Sequence, residues 1–169
     1  MSSDPSLFNL VAANYGDMLF SSGMDVLNIL IGQIERTILA NEVRPHIYLG
    51  MQSFSSFELL ASHYSELAQK CEKITVFGTA DKQPRQVPNT QFIAIPEKAS
   101  LAYERFIIVN HPSWQVMLLA QESMETRDRW ERQRVFNGIL TFNPLVVERC
   151  QQIAAMFSGN QRAQIGRAE

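Results

Sequence analysis

The segment FIIVNHPSWQVMLLA, residues 106–120, is the part of the sequence that is most informative about strand pairing. It contains two apolar runs of strand length, Phe106–Val109 and Val116–Ala120, separated by a short polar segment that includes Pro112. That segment is too short for the helical crossover that joins parallel strands, which needs about a dozen residues or more. The two runs are therefore predicted to pair antiparallel as a hairpin.

Further apolar runs on both sides of this hairpin predict additional strands. These runs are His46–Met51, Ile74–Phe77, Gln91–Ile95 and Val135–Phe142. Gly138 lies inside the last run, where it indicates a bulge or a close backbone approach. Between the runs, residues 81–89 carry two prolines and are predicted to form an exposed loop.

Apolar residues at spacings of three and four predict helices over Gly23–Ala40, Ser55–Lys70 and Leu145–Phe157. A shorter helix is predicted over Leu7–Ala13, with Asp4 as its cap and Pro5 at its first position. The predicted fold class is α/β (or α+β), with a mixed sheet of about five or six strands and helices packed on it. At 169 residues the chain is predicted to form a single domain.

Charge and composition exclude several classes of partner. The 15 basic side chains nearly balance the 17 acidic ones, so the sequence predicts no direct nucleic-acid binding and no attraction to anionic membranes. No run reaches the roughly 18 apolar residues of a membrane span. Cys71 and Cys150 lie far apart on apolar helical stripes without a secretory signal, which favours buried free thiols in the cytoplasm.

The residues that carry chemistry form no recognisable catalytic or metal-binding pattern. The three histidines are scattered, and neither cysteine has a second ligand at zinc spacing. The glycines form no phosphate-binding loop, and no glycine-flanked serine nucleophile is present. Glu58 with His63, or Glu104 with Arg105, are the pairs that a catalytic interpretation would use. The sequence thus predicts a protein that binds or senses, with no catalytic and no metal-binding residues.

Candidate ligand-binding residues lie mainly near strand ends. They are Gln52, Phe54, Phe57, Gly78, Tyr103 and Trp114. Phe54 and Phe57 open a helix directly after a strand, a position where open sheets bind ligands, and Gln52 beside them offers a polar contact. The two aromatic rings could equally anchor the loop, and Trp114 could pack in the core instead of lining a pocket. The residues identify no cofactor.

An ordered set of short motifs resembles a known family. The motifs are IER at 34–36, RP at 44–45, YLGMQSF at 48–54, YSELAQK at 64–70, TVFG at 75–78, ERFIIV at 104–109, LLAQ at 118–121 and FNGILTFNPLVV at 136–147. In this order they resemble the DICT sensory domain, named for its occurrence with diguanylate cyclases and two-component proteins. The similarity runs from about Met18 to Phe157. It divides the chain into an amino-terminal extension over 1–17, a sensory domain over 18–157 and a flexible tail or linker over 158–169.

The resemblance implies a non-catalytic, cytoplasmic input module of bacterial signal transduction, with associations in cyanobacteria that connect it to light-linked signalling. Its partner would be a signalling output domain or a partner protein, such as a histidine kinase or a diguanylate cyclase. The family supplies no ligand and no catalytic residue that can be carried over to this chain.

Two interpretations stay open at the level of the sequence. In the first, the domain binds a small-molecule ligand and passes a conformational change through its terminal helices. In the second, it is a protein-interaction or dimerisation module without a ligand. There, Met24–Ala40 or the amino-terminal helix would bury an apolar face against a second chain in a homodimer.

Overall fold

One mixed sheet organises the chain. In the computed structural model, which describes residues 6–12 and 19–168, seven strands pair in the order β1-β7-β6-β5-β2-β3-β4. The strands are β1 (Leu19–Gly23), β2 (His46–Ser53), β3 (Lys73–Thr79), β4 (Thr90–Ala94), β5 (Glu104–His111), β6 (Trp114–Glu122) and β7 (Val135–Thr141). The pairs β2–β3 and β3–β4 are parallel, whereas every other pair is antiparallel. The predicted hairpin is confirmed as β5–β6, which turns at Pro112 and Ser113.

Within residues 6–12 and 19–168, five α-helices cover the two faces of the sheet. They are α1 (Leu7–Ala12), α2 (Met24–Ala40), α3 (Phe54–Glu58), α4 (Ala61–Gln69) and α5 (Pro144–Ala168). Helices α2, α3 and α4 pack on one face, and α1 and α5 pack on the other. Strands β5 and β6 are therefore buried on both sides, which explains their continuous apolar sequences.

Each face has its own hydrophobic core. On the first face, the apolar stripe of α2 is buried against the sheet through Leu27, Ile31, Ile34 and Ile38. On the second face, α1 and α5 bury Leu7, Phe8, Val11, Val146, Val147, Cys150 and Ala154. Complete burial of one large apolar side chain stabilises the fold by about 1.5–3 kcal/mol, so both faces contribute substantially.

The predicted fold class is confirmed, and three elements differ from the predictions. The strand count is higher than predicted because β1 was not foreseen. The single helix predicted over Ser55–Lys70 is wrong, since the chain breaks at Leu59 and Leu60 into α3 and α4. Helix α5 does not end at Phe157 but continues to Ala168. The predicted cap at Asp4 and Pro5 lies outside the described residues.

Gly138 marks a close approach rather than a bulge. It pairs with Phe20 on β1 and with Ala120 on β6, in a register without a shift. A Cβ atom at Gly138 would collide with the ring of Phe20. Across residues 6–12 and 19–168, none of the helices combines the length and the apolar character that a membrane crossing requires.

Candidate functional site

A polar cleft opens where β2 and β3 end and β5 begins. Its volume is about 430 Å³. It is lined by Gln52, Ser53, Ser56, Thr79, Glu97, Ala102, Tyr103, Glu122 and Arg134, and we call it the Gln52 cleft. Strand β2 runs parallel to β3 but antiparallel to β5, so the cleft lies at a change of strand direction. The carboxyl ends of strands at such a point are a common place for ligand sites.

The backbone of Gln52 is held in an unusual conformation. Its φ angle is 65°, in the left-handed region, and the β2–β3 register shifts between Gly50 and Ser53. This conformation costs a non-glycine residue about 1–2 kcal/mol. The Gln52 side chain donates a hydrogen bond from Nε2 to Oε2 of Glu122 at 3.2 Å. The strained residue is thus tied to the opposite wall of the cleft.

Glu122 is a buried carboxylate at the end of β6, with 4% of its surface exposed. Its Oε1 lies 3.2 Å from the Nε of Arg134, so the carboxylate is paired on both oxygens. Nearby, the guanidinium of Arg127 lies 3.9 Å from the centroid of the Tyr103 ring. The alternating acids and arginines of residues 121–134 are typical of a solvated loop or a surface helical turn. Glu122 departs from that pattern, because it is the last residue of β6 and is buried there.

The serines Ser53 and Ser56 also line the cleft. Ser53 caps α3 by accepting a hydrogen bond from the backbone N–H of Ser56, and its hydroxyl also bonds those of Ser55 and Ser56. The hydroxyl and the backbone N–H of Ser55 both donate to the carboxylate of Asp81, and the bond from the hydroxyl is the main reason that the pKa of Asp81 is lowered. The cleft therefore combines hydroxyl, amide and charged groups, which suit a small polar ligand.

The structure separates the predicted site residues into three groups. Gln52 and Tyr103 line the cleft together. Phe54 and Phe57 are buried in the first core, where both contact the ring of Phe92 edge to face. Their role as anchors of the α3 segment is therefore evident, whereas a contact with a ligand stays a prediction.

Gly78 and Trp114 do not line the cleft. A Cβ atom at Gly78 would lie 3.1 Å from the Phe54 ring, so the glycine makes room for this aromatic side chain. Trp114 begins β6 at the other end of the sheet, opposite His111, and packs against the first core. Gly78 thus contacts the start of α3, and Trp114 is remote from the cleft.

Sequence reasoning missed a second pocket, which lies between α2, the α3–α4 break and β5. It has a volume of about 480 Å³ and is lined by Asn28, Ile31, Glu35, Ser56, Leu59, Leu60, His63, Tyr64 and Arg105. We call it the Glu35 pocket. Ser56 is the residue that borders both this pocket and the Gln52 cleft.

The charged groups of the Glu35 pocket are largely buried. Glu35 is 5% exposed and Arg105 is 9% exposed. The Oε1 of Glu35 lies 3.2 Å from Nε2 of His63, and this contact is the main reason that the pKa of His63 is raised. Burial, followed by the negative charge of Glu35, holds the pKa of Tyr64 well above its usual value.

A signal for this pocket was present in the sequence. Glu35 lies four residues after Ile31 on the apolar stripe of α2, and Arg105 shares a strand face with Ile107. A charged residue on an otherwise apolar face indicates a buried charge, and such charges are usually paired. The earlier charge pairings are corrected: Glu58 contacts Arg85, and the buried Glu104 contacts Ser6 on the opposite face from Arg105.

The two cysteines are buried in different cores, as predicted from their positions on apolar stripes. Burial raises the pKa of both Cys71 and Cys150 to about 12, so neither thiol ionises near neutral pH. Within the part of the chain that the structure describes, no three His, Cys, Asp or Glu side chains converge as metal ligands would.

Comparison with known proteins identifies one family. A family model described as a sensory domain in diguanylate cyclases and two-component systems, DICT, matches residues 17–123. All lining residues of the Gln52 cleft except Arg134 fall within that range. No curated protein matches the chain.

Among solved structures, a polyphosphate kinase from Porphyromonas gingivalis has a similar fold, with a TM-score of 0.50 and 12% sequence identity. The match covers 89% of this chain and 26% of the kinase, so the chain corresponds to about a quarter of that enzyme. At this level of identity the likeness concerns the fold alone.

Proposed function

Because the chain belongs to the DICT family of sensory domains, we propose that it is a non-catalytic input domain and that the Gln52 cleft binds its signal, a small polar molecule. The observation that carries the proposal is the strained backbone of Gln52 beside the buried carboxylate of Glu122. Left-handed non-glycine residues cluster at ligand clamps and switch regions, where the surrounding structure maintains the strain.

The contacts of the cleft suggest how binding changes the domain. A ligand that takes over the hydrogen bond between Gln52 and Glu122 releases the end of β2 from its strained conformation. The same ligand competes with Arg134 for the carboxylate, and Arg134 directly precedes β7, which leads into α5. Since a ligand shifts an equilibrium only by its differential affinity for two states, these contacts are the ones that must differ. Helix α5 then relays the state to an output domain or partner.

The experiment is a thermal-shift screen of common polar metabolites on the wild type and on two variants. Gln52→Ala removes the side chain that ties β2 to Glu122. Gln152→Ala removes an exposed glutamine of α5 and serves as the control. A ligand present at about 100 times its Kd should stabilise the wild type and the control by about 2.7 kcal/mol. The shift should fall in Gln52→Ala, and a screen without any shift in the wild type would contradict the proposal.

The proposal also covers the compartment in which the domain acts and the protein that receives its signal. The domain acts in the cytoplasm and reports to a kinase, a diguanylate cyclase or a similar partner, as the sensory domains of this family suggest. A light-linked role would require a bound chromophore, because the side chains of the chain absorb only in the ultraviolet. A visible absorption band in the purified protein would support that role, and mass spectrometry would identify the chromophore.

A second candidate function is a dimerisation module. The apolar stripe of α2 and the inner face of α1 are already buried within the chain, so neither is free to hold a second copy. What favours an interface is the presence of other exposed apolar side chains, among them Ile29, which is 60% exposed, and Leu59, which is 87% exposed. Light scattering that shows a monomer at all concentrations would contradict this function.

A further inference from the structure

We propose that the Glu35 pocket is a second binding site, which takes a zwitterionic α-amino acid with an apolar side chain. This goes beyond the proposed function, because it assigns a ligand class to a different pocket on the α2–α4 face. The inference rests on two buried polar side chains that line the pocket and on the apolar walls around them.

Two buried polar atoms at the pocket lack hydrogen-bond partners among the described residues. Within the described part of the chain, Oε2 of Glu35 and Nε of Arg105 are buried and make no hydrogen bond. Both residues line the pocket and are at least nine-tenths buried. Leaving a buried charged group without a hydrogen-bond partner is costly. A ligand that donates to the carboxylate and accepts from the guanidinium removes both penalties at once.

The Glu35 pocket contains charged groups of both signs. Besides His63, whose ring nitrogen pairs with Oε1 of Glu35, the pocket offers one carboxylate on α2 and one guanidinium on β5. These two groups match a ligand that carries both an ammonium and a carboxylate. The planar guanidinium of Arg105 favours a carboxylate, and Glu35 Oε2 favours an ammonium. His63 already occupies the other oxygen of Glu35 at 3.2 Å, which leaves Oε2 for the ligand.

The remaining walls of the Glu35 pocket are largely apolar. Ile31, Leu59 and Leu60 give the pocket an apolar side, and the buried Tyr64 adds its aromatic ring. Leu59 is 87% exposed, so an apolar side chain of the ligand would cover part of its surface from water. A volume of about 480 Å³ falls within the range of roughly 300–1,000 Å³ that small-molecule sites show.

The test is calorimetric titration of the whole chain with L-leucine and L-phenylalanine up to about 10 mM, a tenfold excess over a millimolar Kd. Two analogues separate the polar contacts: 4-methylpentanoate lacks the ammonium of leucine, and 3-methylbutylamine lacks its carboxylate. Saturable binding of leucine or phenylalanine, with at least about tenfold weaker binding of both analogues, is the expected result. No binding of either amino acid, or equal binding of an analogue, would overturn the proposal.

Four variants assign the binding to the pocket. Glu35→Gln and Arg105→Gln should each weaken binding at least about tenfold, because each removes one charged partner. Arg36→Gln changes an exposed charge on α2 and should bind like the wild type. Gln52→Ala alters the other cleft and should also bind normally, so failure of the proposed function and failure of this inference are distinguishable. If a buried variant does not fold, the analogue series on the wild type decides the outcome alone.

Discussion

Two glycines in the middle of strands each support an aromatic ring from the neighbouring strand. Gly50 pairs with Phe106 across β2 and β5, and Gly138 pairs with Phe20 across β1 and β7. In both cases an added Cβ atom would collide with the ring. The ring covers backbone that the glycine leaves bare, an arrangement that compensates for glycine in a strand. The glycines of the motifs YLGMQSF and FNGILTFNPLVV are thus explained by packing.

Replacement of Gly50 by alanine should lower the free energy of unfolding by about 1–3 kcal/mol, because the ring of Phe106 must leave its position in a packed core. Gly32→Ala is the matched control, since a Cβ atom there meets only the end of the Arg36 side chain. This control should stabilise α2 by about 0.5–1 kcal/mol. Urea denaturation measures both changes, and equal effects of the two substitutions would refute the packing argument.

The contact between His63 and Glu35 predicts a pH-dependent stability. The hydrogen bond that His63 donates to Glu35 raises the pKa of His63 above 6.5, burial opposes this, and the charges of Glu35 and Glu66 add to the rise. Protonated His63 is thus favoured by folding. Its stabilisation is complete below pH 6.5 and is lost as the pH rises through the higher pKa of the folded state.

The measurement is the free energy of unfolding of the wild type minus that of His63→Gln over a pH series. The difference should decrease as the pH rises above 6.5. His46 acts in the opposite direction, because burial and the charge of Lys73 lower its pKa, and the subtraction removes this contribution. A difference that is constant across the series would show that the contact with Glu35 does not depend on the charge of His63.

At the scale of elements, the amino-terminal helix is held by a carboxylate of the sheet. Glu104 is fully buried at the start of β5 and accepts hydrogen bonds from the Ser6 hydroxyl, at 3.2 Å, and from the backbone N–H of Phe8. The Ser6 hydroxyl also accepts from the backbone N–H of Asn9. The first turn of α1 is therefore satisfied by a side chain from a distant part of the sequence.

Glu104→Ala should detach α1 before the rest of the fold, because it leaves buried donors of the first turn without an acceptor, at a cost of about 1–3 kcal/mol. Hydrogen exchange of the amides of α1 reports this opening. Glu72→Ala, at an exposed glutamate, is the control and should leave exchange in α1 unchanged. Unchanged protection of α1 in Glu104→Ala would contradict the anchoring role.

Elements whose own sequence is periodic were predictable, and those that depend on distant partners were not. The apolar stripe of α2 and the apolar runs of β5 and β6 predict their own secondary structure without reference to distant residues. Strand β1 is short and half exposed, and only its pairing with β7 makes it a strand. The break at Leu59 and Leu60 carries no proline or glycine, so the pattern favoured one long helix.

The candidate site was partly predictable for the same reason. Gln52 directly follows the predicted strand His46–Met51, which places it at the carboxyl end of a strand, and Tyr103 joins it in the cleft. The partners Glu122 and Arg134 lie in a stretch of alternating charges that is typical of a solvated surface. The burial of Glu122 at the end of β6, and its contacts with Gln52 of β2 and with Arg134 just before β7, depend on how the sheet places these distant segments side by side.

For the whole molecule, the two ends of the chain differ in their contribution to the fold. Helix α1 buries Leu7, Phe8 and Val11 in the second core, although the sequence predicts residues 1–17 to be an extension of the domain. The predicted boundary near Phe157 does not coincide with a helix end, since α5 continues to Ala168. The described contacts of α5 with the core extend as far as Phe157.

Deletion of residues 1–17 should therefore destabilise the protein by several kcal/mol, at about 1.5–3 kcal/mol for each large apolar side chain removed from the core. Deletion of residues 160–169 is the matched truncation and should change the free energy of unfolding by less than about 0.5 kcal/mol. Chemical denaturation of both truncated chains measures the difference. A large effect of the carboxyl-terminal deletion would place the domain boundary beyond residue 159.

We propose that the Gln52 cleft binds a small polar signal and that binding changes the conformation of α5. Amide chemical shifts of the labelled protein, recorded while the ligand from the thermal-shift screen is added, test this most directly. The predicted result is saturable change at Gln52 and Tyr103, accompanied by change along β7 and α5 with the same concentration dependence. Saturable binding that leaves the amides of Gln52 and Tyr103 unchanged, or no binding by any metabolite, would contradict the claim.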